Sequence, residues 1–266
     1  MYSFEYVKPS SLAEVGTFLK ANPEARPLAG GMTLIPTLKA RLAQPSHLVD
    51  ISGLEELRGI EVQGSTLSIG AGTRHNDVLR SDQVRNSIPA LAELAGRIGD
   101  PAVRNCGTIG GSLANNDPAA DYPAAVLALN AKIVTNKREI AADDYFKGLF
   151  TTALEPGELI VRIAFPVPKR AAYEKFPHPA SGYAMTGVFV AETASGVRVA
   201  VTGAGPGVFR WKEAEAALAK KVAADSVASL RMKPDDLNQD IHATREYRAN
   251  LVNVLTKRAA ARIAGR

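Results

Sequence analysis

The chain has 266 residues, 46% of them hydrophobic, enough apolar material for a large core in one domain or two. Its net charge of +5 is spread along the sequence, densest at Lys220-Lys221 and Lys257-Arg258 and without interleaved aromatic residues, which argues against a nucleic-acid platform. The lone Cys106 excludes an internal disulfide and any cysteine-built zinc or iron–sulfur site, no apolar run approaches bilayer length, and MYSFEYVKPS at the N-terminus lacks signal-peptide grammar, so no membrane span and a cytoplasmic location are expected.

In chain order, residues 4–7 alternate as a strand, and Ser11 with Glu14 forms a capping box that opens a helix to about Ala21. A strand at residues 26–29 leads into Gly30-Gly31, then a helix ending near Leu42 and a strand at residues 47–51. The first fifty residues thus read as a small β-α-β-α-β lobe. Residues 60–62 and 67–70 form a predicted hairpin around Gly64-Ser65, followed by helices at 77–79 and 91–98. A loop over Asn105–Asn116 is nearly free of bulky residues, and a helix is expected from about Tyr122 to Leu129. A hairpin (132–135 with 138–141) and a strand (159–165) complete a second lobe, which Pro166, Pro168 and Lys169-Arg170 break.

Beyond the break, residues 184–192 and 197–202 alternate as a hairpin around Ser195-Gly196. Helices are expected at 213–220, at 223–232 and at 245–263, the last with Tyr247, Leu251, Val254, Leu255 and Arg258 on a shared face. The domain boundary falls near Tyr173: residues 1–172, in lobes of about 1–54 and 55–172, and residues 173–266.

Two stretches share one grammar. Leu28-Ala29-Gly30-Gly31-Met32-Thr33-Leu34 and Thr108-Ile109-Gly110-Gly111-Ser112 each pair two glycines with a hydroxyl residue and a following helix. Glycine lets consecutive N–H groups converge on an anion, and such a loop suits a pyrophosphate. Neither loop has a Gly-Lys-Ser/Thr or G-x-G-x-x-G pattern, so neither common nucleotide fingerprint applies. Gly203-Ala204-Gly205-Pro206-Gly207 is a poorer candidate, because its proline removes a donor; a tight turn is the expected role. His47, His75, His178 and His242 show no metal-ligand spacing, and Cys106 reads as packing.

Over nearly its whole length, through LAGGMTLIPTLKARLAQPSHLVDI, VRNCGTIGGSLANNDPAADYPAAVLALNA, VTGAGPGVFRWKEAEAAL and DIHATREYRANLVNVLTKRA, the chain resembles the FAD-binding medium subunits of molybdenum hydroxylases, the carbon monoxide dehydrogenase and xanthine dehydrogenase family. The resemblance implies an α+β fold: a two-lobed PCMH-type FAD-binding domain, then a smaller C-terminal domain of a β-sheet with helices. It places FAD between the lobes, with Leu28, Ala29, Gly30, Gly31, Met32, Thr33 and Leu34 in the first loop and Thr108, Ile109, Gly110, Gly111 and Ser112 in the second. Asp121 matches an acidic position suited to the sugar-like part of FAD, with helix N-cap as its alternative role. Lys175 resembles a basic position near the flavin, and Tyr183 reads as core.

Functionally, the resemblance implies an electron-transfer oxidoreductase subunit. Substrate would be oxidised at a molybdenum cofactor in a large subunit, and electrons would pass through [2Fe-2S] clusters of a small subunit to FAD here, in a dimer of heterotrimers. No catalytic residue or metal ligand is expected in this chain. Two alternatives stay open on sequence: a self-sufficient FAD-dependent oxidoreductase of the same superfold, and a non-redox nucleotide-binding assembly protein.

Overall fold

The computed structural model describes residues 1–265. Three larger sheets and one two-stranded sheet organise them. The first is parallel, with His47–Asp50 between Glu5–Val7 and Arg26–Leu28. Helices Leu12–Ala21 and Leu34–Lys39 supply its crossovers, and Ser11 caps the former by accepting from the Glu14 N–H. Val15, Leu19, Val49, Leu54 and Leu57 form a small core that also takes in Leu159 from the second lobe, so the two lobes share apolar contact.

The second sheet is antiparallel and five-stranded, in the order Ile60–Gln63, Thr66–Gly70, Ile160–Pro166, Lys132–Thr135, Glu139–Ala141. Its center is the late strand Ile160–Pro166, which returns between the two hairpins read from sequence. Where two helices were predicted over residues 77–98 there are three: His75–Arg80, Asp82–Ser87 and Pro89–Gly96.

Residues 105–116, expected as open loop, are mostly helical: Pro101–Cys106 is one short helix and Ile109–Asn115 another. Asp100 and Thr108 are their N-caps, accepting from the N–H groups of Val103 and Gly111. Gly110 and Gly111 therefore sit in a first helical turn. Asn116 ends that helix in the left-handed conformation and donates to the carbonyls of Gly148 and Thr151, tying it to the small hairpin Phe146–Gly148/Thr151–Thr152.

The third sheet runs Arg170–Pro177, Ala184–Thr193, Gly196–Thr202, Phe209–Arg210. Its first strand was missed, since Pro166 and Pro168 made the region read as a break; the break is confined to residues 167–169. Along Ala184–Thr193 alternate side chains enter two cores. Phe189 and Ala191 join the large core of the second lobe, whereas Val188 and Val190 face the long C-terminal helix Arg245–Ala264. A strand covered on both faces loses the polar alternation of a half-exposed one. The boundary expected near residue 173 lies inside Arg170–Pro177, where Tyr173 faces one core and Ala172 the other.

Two helical expectations change. Residues 223–232 hold only a short 3-10 turn at Ala224–Val227. On Arg245–Ala264 the buried face is set by Leu251, Val252, Leu255, Ala259 and Ile263, while Tyr247 and Arg258 are exposed. Arg248 is buried instead, because its guanidinium donates to the carbonyls of Met185 (2.6 Å) and Gly203 (3.0 Å) and pairs with Asp240.

Candidate cofactor cleft

A cleft of about 810 Å³ runs between the parallel sheet, the second lobe and the edge of the third sheet. It is at the large end of the roughly 300–1,000 Å³ of small-molecule sites, a size suited to an extended ligand. Leu28, Ala29, Gly30, Gly31, Met32, Thr33 and Leu34 line it from one side, and Thr108, Gly110, Gly111, Ser112 and Asp121 from the other. Ile109 does not line it: its side chain is fully buried in the core, and its N–H donates to the Thr73 carbonyl. Lys175 does not line it either.

The glycines do more than leave room for a ligand. A Cβ on Gly30 would lie 2.7 Å from the Cys106 carbonyl carbon and 2.8 Å from Gly107 Cα, so the first loop packs directly on the backbone that leads into the second. A Cβ on Gly110 would meet Ala71 Cβ at 2.5 Å, and one on Gly107 would meet His75 Nε2 at 2.6 Å. Gly31 serves conformation, with φ +71. Cys106 offers its backbone to this packing while its side chain is exposed, which corrects its reading as packed.

The two loops also differ in what they can offer an anion. The N–H groups of Ile109, Gly110, Gly111 and Ser112 donate to Thr73 O, Ala71 O, Thr108 Oγ1 and Thr108 O, so they hold the second loop in place. The N–H groups of Gly30, Gly31, Met32 and Thr33 have no backbone acceptor among the described residues. The first loop is thus the better supply of free donors.

Asp121 is not a side-chain helix cap. Its carboxylate accepts from Tyr173 Oη at 2.6 Å and from Lys175 Nζ at 2.8 Å, and Lys175 also donates to the Arg97 carbonyl at 2.9 Å. Both members of the pair are buried. Burial raises the Asp121 pKa and the Lys175 charge opposes that shift. Lys175 stands behind Asp121 and holds it at the cleft wall.

Tyr183 corrects the sequence reading: it is 45% exposed and lines the cleft. It follows Gly182, whose φ of +70 closes a turn in which the His178 N–H donates to the Tyr183 carbonyl. Burial raises its phenol pKa, Asp117 adds to the rise, and the Thr33 hydroxyl of the first loop opposes it.

His75 and Arg74 were missed. They follow Gly70-Ala71-Gly72-Thr73, which repeats the strand–glycine–hydroxyl–helix order of the first loop and was the available signal. His75 lines the cleft at 5% exposure, its ring 5.4 Å from that of Tyr122, and its Nδ1 has no partner. Burial, helped by the Arg104 charge, lowers its pKa from 6.5 to about 4. A base whose folded pKa is depressed stabilises the fold above its unfolded pKa, and this is lost as pH falls through the folded value. We expect a term of roughly 3 kcal/mol to disappear between about pH 6.5 and pH 4. Urea unfolding of wild type and His75→Gln across that range measures it; parallel stability-versus-pH curves would refute it.

An enlarged cleft walled by glycine-rich backbone, with free N–H donors on one side and a buried acid on the other, is that of a protein that binds an extended phosphate-bearing cofactor. Comparison with known proteins agrees. The family model for the FAD binding domain in molybdopterin dehydrogenase matches residues 2–168. The chain is 38% identical over 276 residues to the glyceraldehyde dehydrogenase medium chain of Sulfolobus acidocaldarius, covering 98% of each. It is 36% identical to the carbon monoxide dehydrogenase medium chain of Hydrogenophaga pseudoflava, covering 96% of this chain and 95% of that one. Among solved structures, reconstituted CO dehydrogenase from Oligotropha carboxidovorans superposes with a TM-score of 0.92 at 34% identity, over 100% of this chain and 99% of that one. The chain belongs to the family of FAD-binding domains of molybdopterin dehydrogenases, and its cofactor is FAD. No helix among the described residues is long and apolar enough to cross a membrane.

Proposed function

We infer that this chain is the FAD-carrying electron-transfer subunit of a molybdenum hydroxylase. It would accept electrons from [2Fe-2S] clusters in a small partner subunit, supplied by a molybdenum cofactor in a large one, and pass them to an external acceptor. The observation that carries this reading is the meeting of both family glycine loops on one cleft, with Gly30 seated on Cys106 and Gly107. Relatives that match along their whole length are named medium chains, which implies larger and smaller partners. A dimer of heterotrimers in the cytoplasm is our reading of the assembly.

Bound FAD supplies the exchange between single electrons and electron pairs. The protein's part is to hold and orient it. We assign the free N–H groups of Gly30–Thr33 and the hydroxyls of Thr33 and Ser112 to the phosphates, and Asp121, fixed by Tyr173 and Lys175, to a hydroxyl-bearing part of the cofactor. Leu28, Ala29, Leu34, Thr108, Gly110 and Gly111 shape the walls. Ile109 and Lys175 act from behind, through Thr73 and Asp121. The seam between the FAD-binding lobes and the C-terminal domain is placed at residues 167–169, between two strands and where the family match ends.

Purification of the native complex tests this. It should yield three chain types, and heat should release FAD from this one, with iron and molybdenum remaining on the others. Release of FMN, or turnover of an organic substrate by this chain alone with an artificial acceptor, would show the reading to be wrong.

A further inference from the structure

We propose that Arg74 is the cationic anchor for the pyrophosphate of the cofactor, an inference that rests on the FAD reading above. FAD carries two negative charges on its pyrophosphate, yet neither glycine loop, Leu28–Leu34 or Thr108–Ser112, contains a cationic side chain. The second loop is further limited, because four of its N–H groups are engaged within the protein.

Three arginines line the cleft: Arg26, Arg58 and Arg74. Arg26 donates to the carbonyls of Pro23 and Ala25, both at 3.0 Å. Arg58 pairs with Glu55 at 3.1 Å and donates to the Ser52 carbonyl at 2.6 Å. The Arg74 guanidinium has no hydrogen bond or ion pair among the described residues. Of the cleft acids, Asp121 is matched by Lys175 and Glu158 by Arg138, while Asp117 accepts from the Ala119 N–H; none of the three is paired with Arg74.

Its mount is rigid. The segment before it is zipped to the second loop, with Ala71 O accepting from Gly110 N (2.8 Å) and Thr73 O from Ile109 N (3.1 Å). His75 N donates to Gly107 O (3.0 Å), and Arg74 itself forms a β-bridge with Thr108. With its backbone held beside Thr108 and its side chain at the cleft, Arg74 can present two parallel guanidinium N–H donors to phosphate oxygens.

FAD affinity of the flavin-depleted complex, followed by quenching of flavin fluorescence across a range of salt, tests the assignment. Arg74→Gln should bind FAD roughly tenfold or more weakly at low salt, with a shallower salt dependence, and Arg74→Lys should recover part of both. Equal affinity and salt dependence in wild type and Arg74→Gln would overturn the anchor while leaving the FAD reading intact. So would an Arg74→Lys protein as weak as Arg74→Gln with the wild-type salt slope, since the loss would then not follow charge. Failure of the wild type to bind FAD would instead bring down the functional reading itself.

Discussion

Replacing Lys175 by methionine should destabilise the protein by roughly 3–5 kcal/mol, because it strands a buried carboxylate. Asp121 is 4% exposed and Lys175 1% at the side chain, so water cannot take over from the lost ammonium group. Tyr173 Oη remains as a donor, but one neutral hydrogen bond does not replace a cation. The sign of the pH dependence follows from Asp121. Burial already raises its pKa above 3.8, and losing the lysine raises it further. A carboxyl with a raised folded pKa favours folding below its unfolded value and loses that contribution as pH rises, so the deficit should be small near pH 4 and grow towards neutrality. Chemical unfolding at several pH values measures this, and the Asp121→Asn/Lys175→Met pair should recover much of the loss. A Lys175→Met protein as stable as wild type at neutral pH would contradict the buried pair.

Gly30→Ala is expected to remove FAD from the purified chain and to lower its melting temperature. The added methyl would meet the carbonyl of Cys106 and Gly107 Cα, both backbone, so no rotamer change relieves the collision. Overpacking of this kind costs about 1–3 kcal/mol when the surroundings can shift, and here the shift would pull the first loop off the second. Gly207→Ala is the control, because a Cβ there would meet nothing within 4 Å and Gly207 does not line the cleft. Flavin absorbance per chain and a thermal melt decide between the two. Normal occupancy and melting in Gly30→Ala would mean that the loops do not touch as described.

Much of this was legible in the sequence because it is local. The glycine loops declare themselves through paired glycines, small residues, a hydroxyl and a following helix within about ten positions, and the hairpins through alternation. The Asp121–Lys175 pair was not legible as a pair, since 54 residues separate its members and only the seating of Arg170–Pro177 against the second lobe brings them together. Tyr183 misled for a related reason: nothing in Ser181-Gly182-Tyr183 says on which side of a turn the ring emerges. Arg248 shifted the apparent face of the last helix because composition counts a charge as outward, while the fold supplies it with two carbonyls and a carboxylate.

The strand Ala184–Thr193, with one row of side chains in each of two cores, bears on how the chain can be divided. The family match stops at residue 168, but the large core it belongs to is closed by Ala171, Tyr173, Phe189, Ala191 and Ala200 from beyond that point. A fragment ending at the match would leave an apolar wall open to water, and the remainder would lose one of its two faces. The segment the family model matches is therefore shorter than the segment that folds, and a graft of this module onto another enzyme has to carry the third sheet with it.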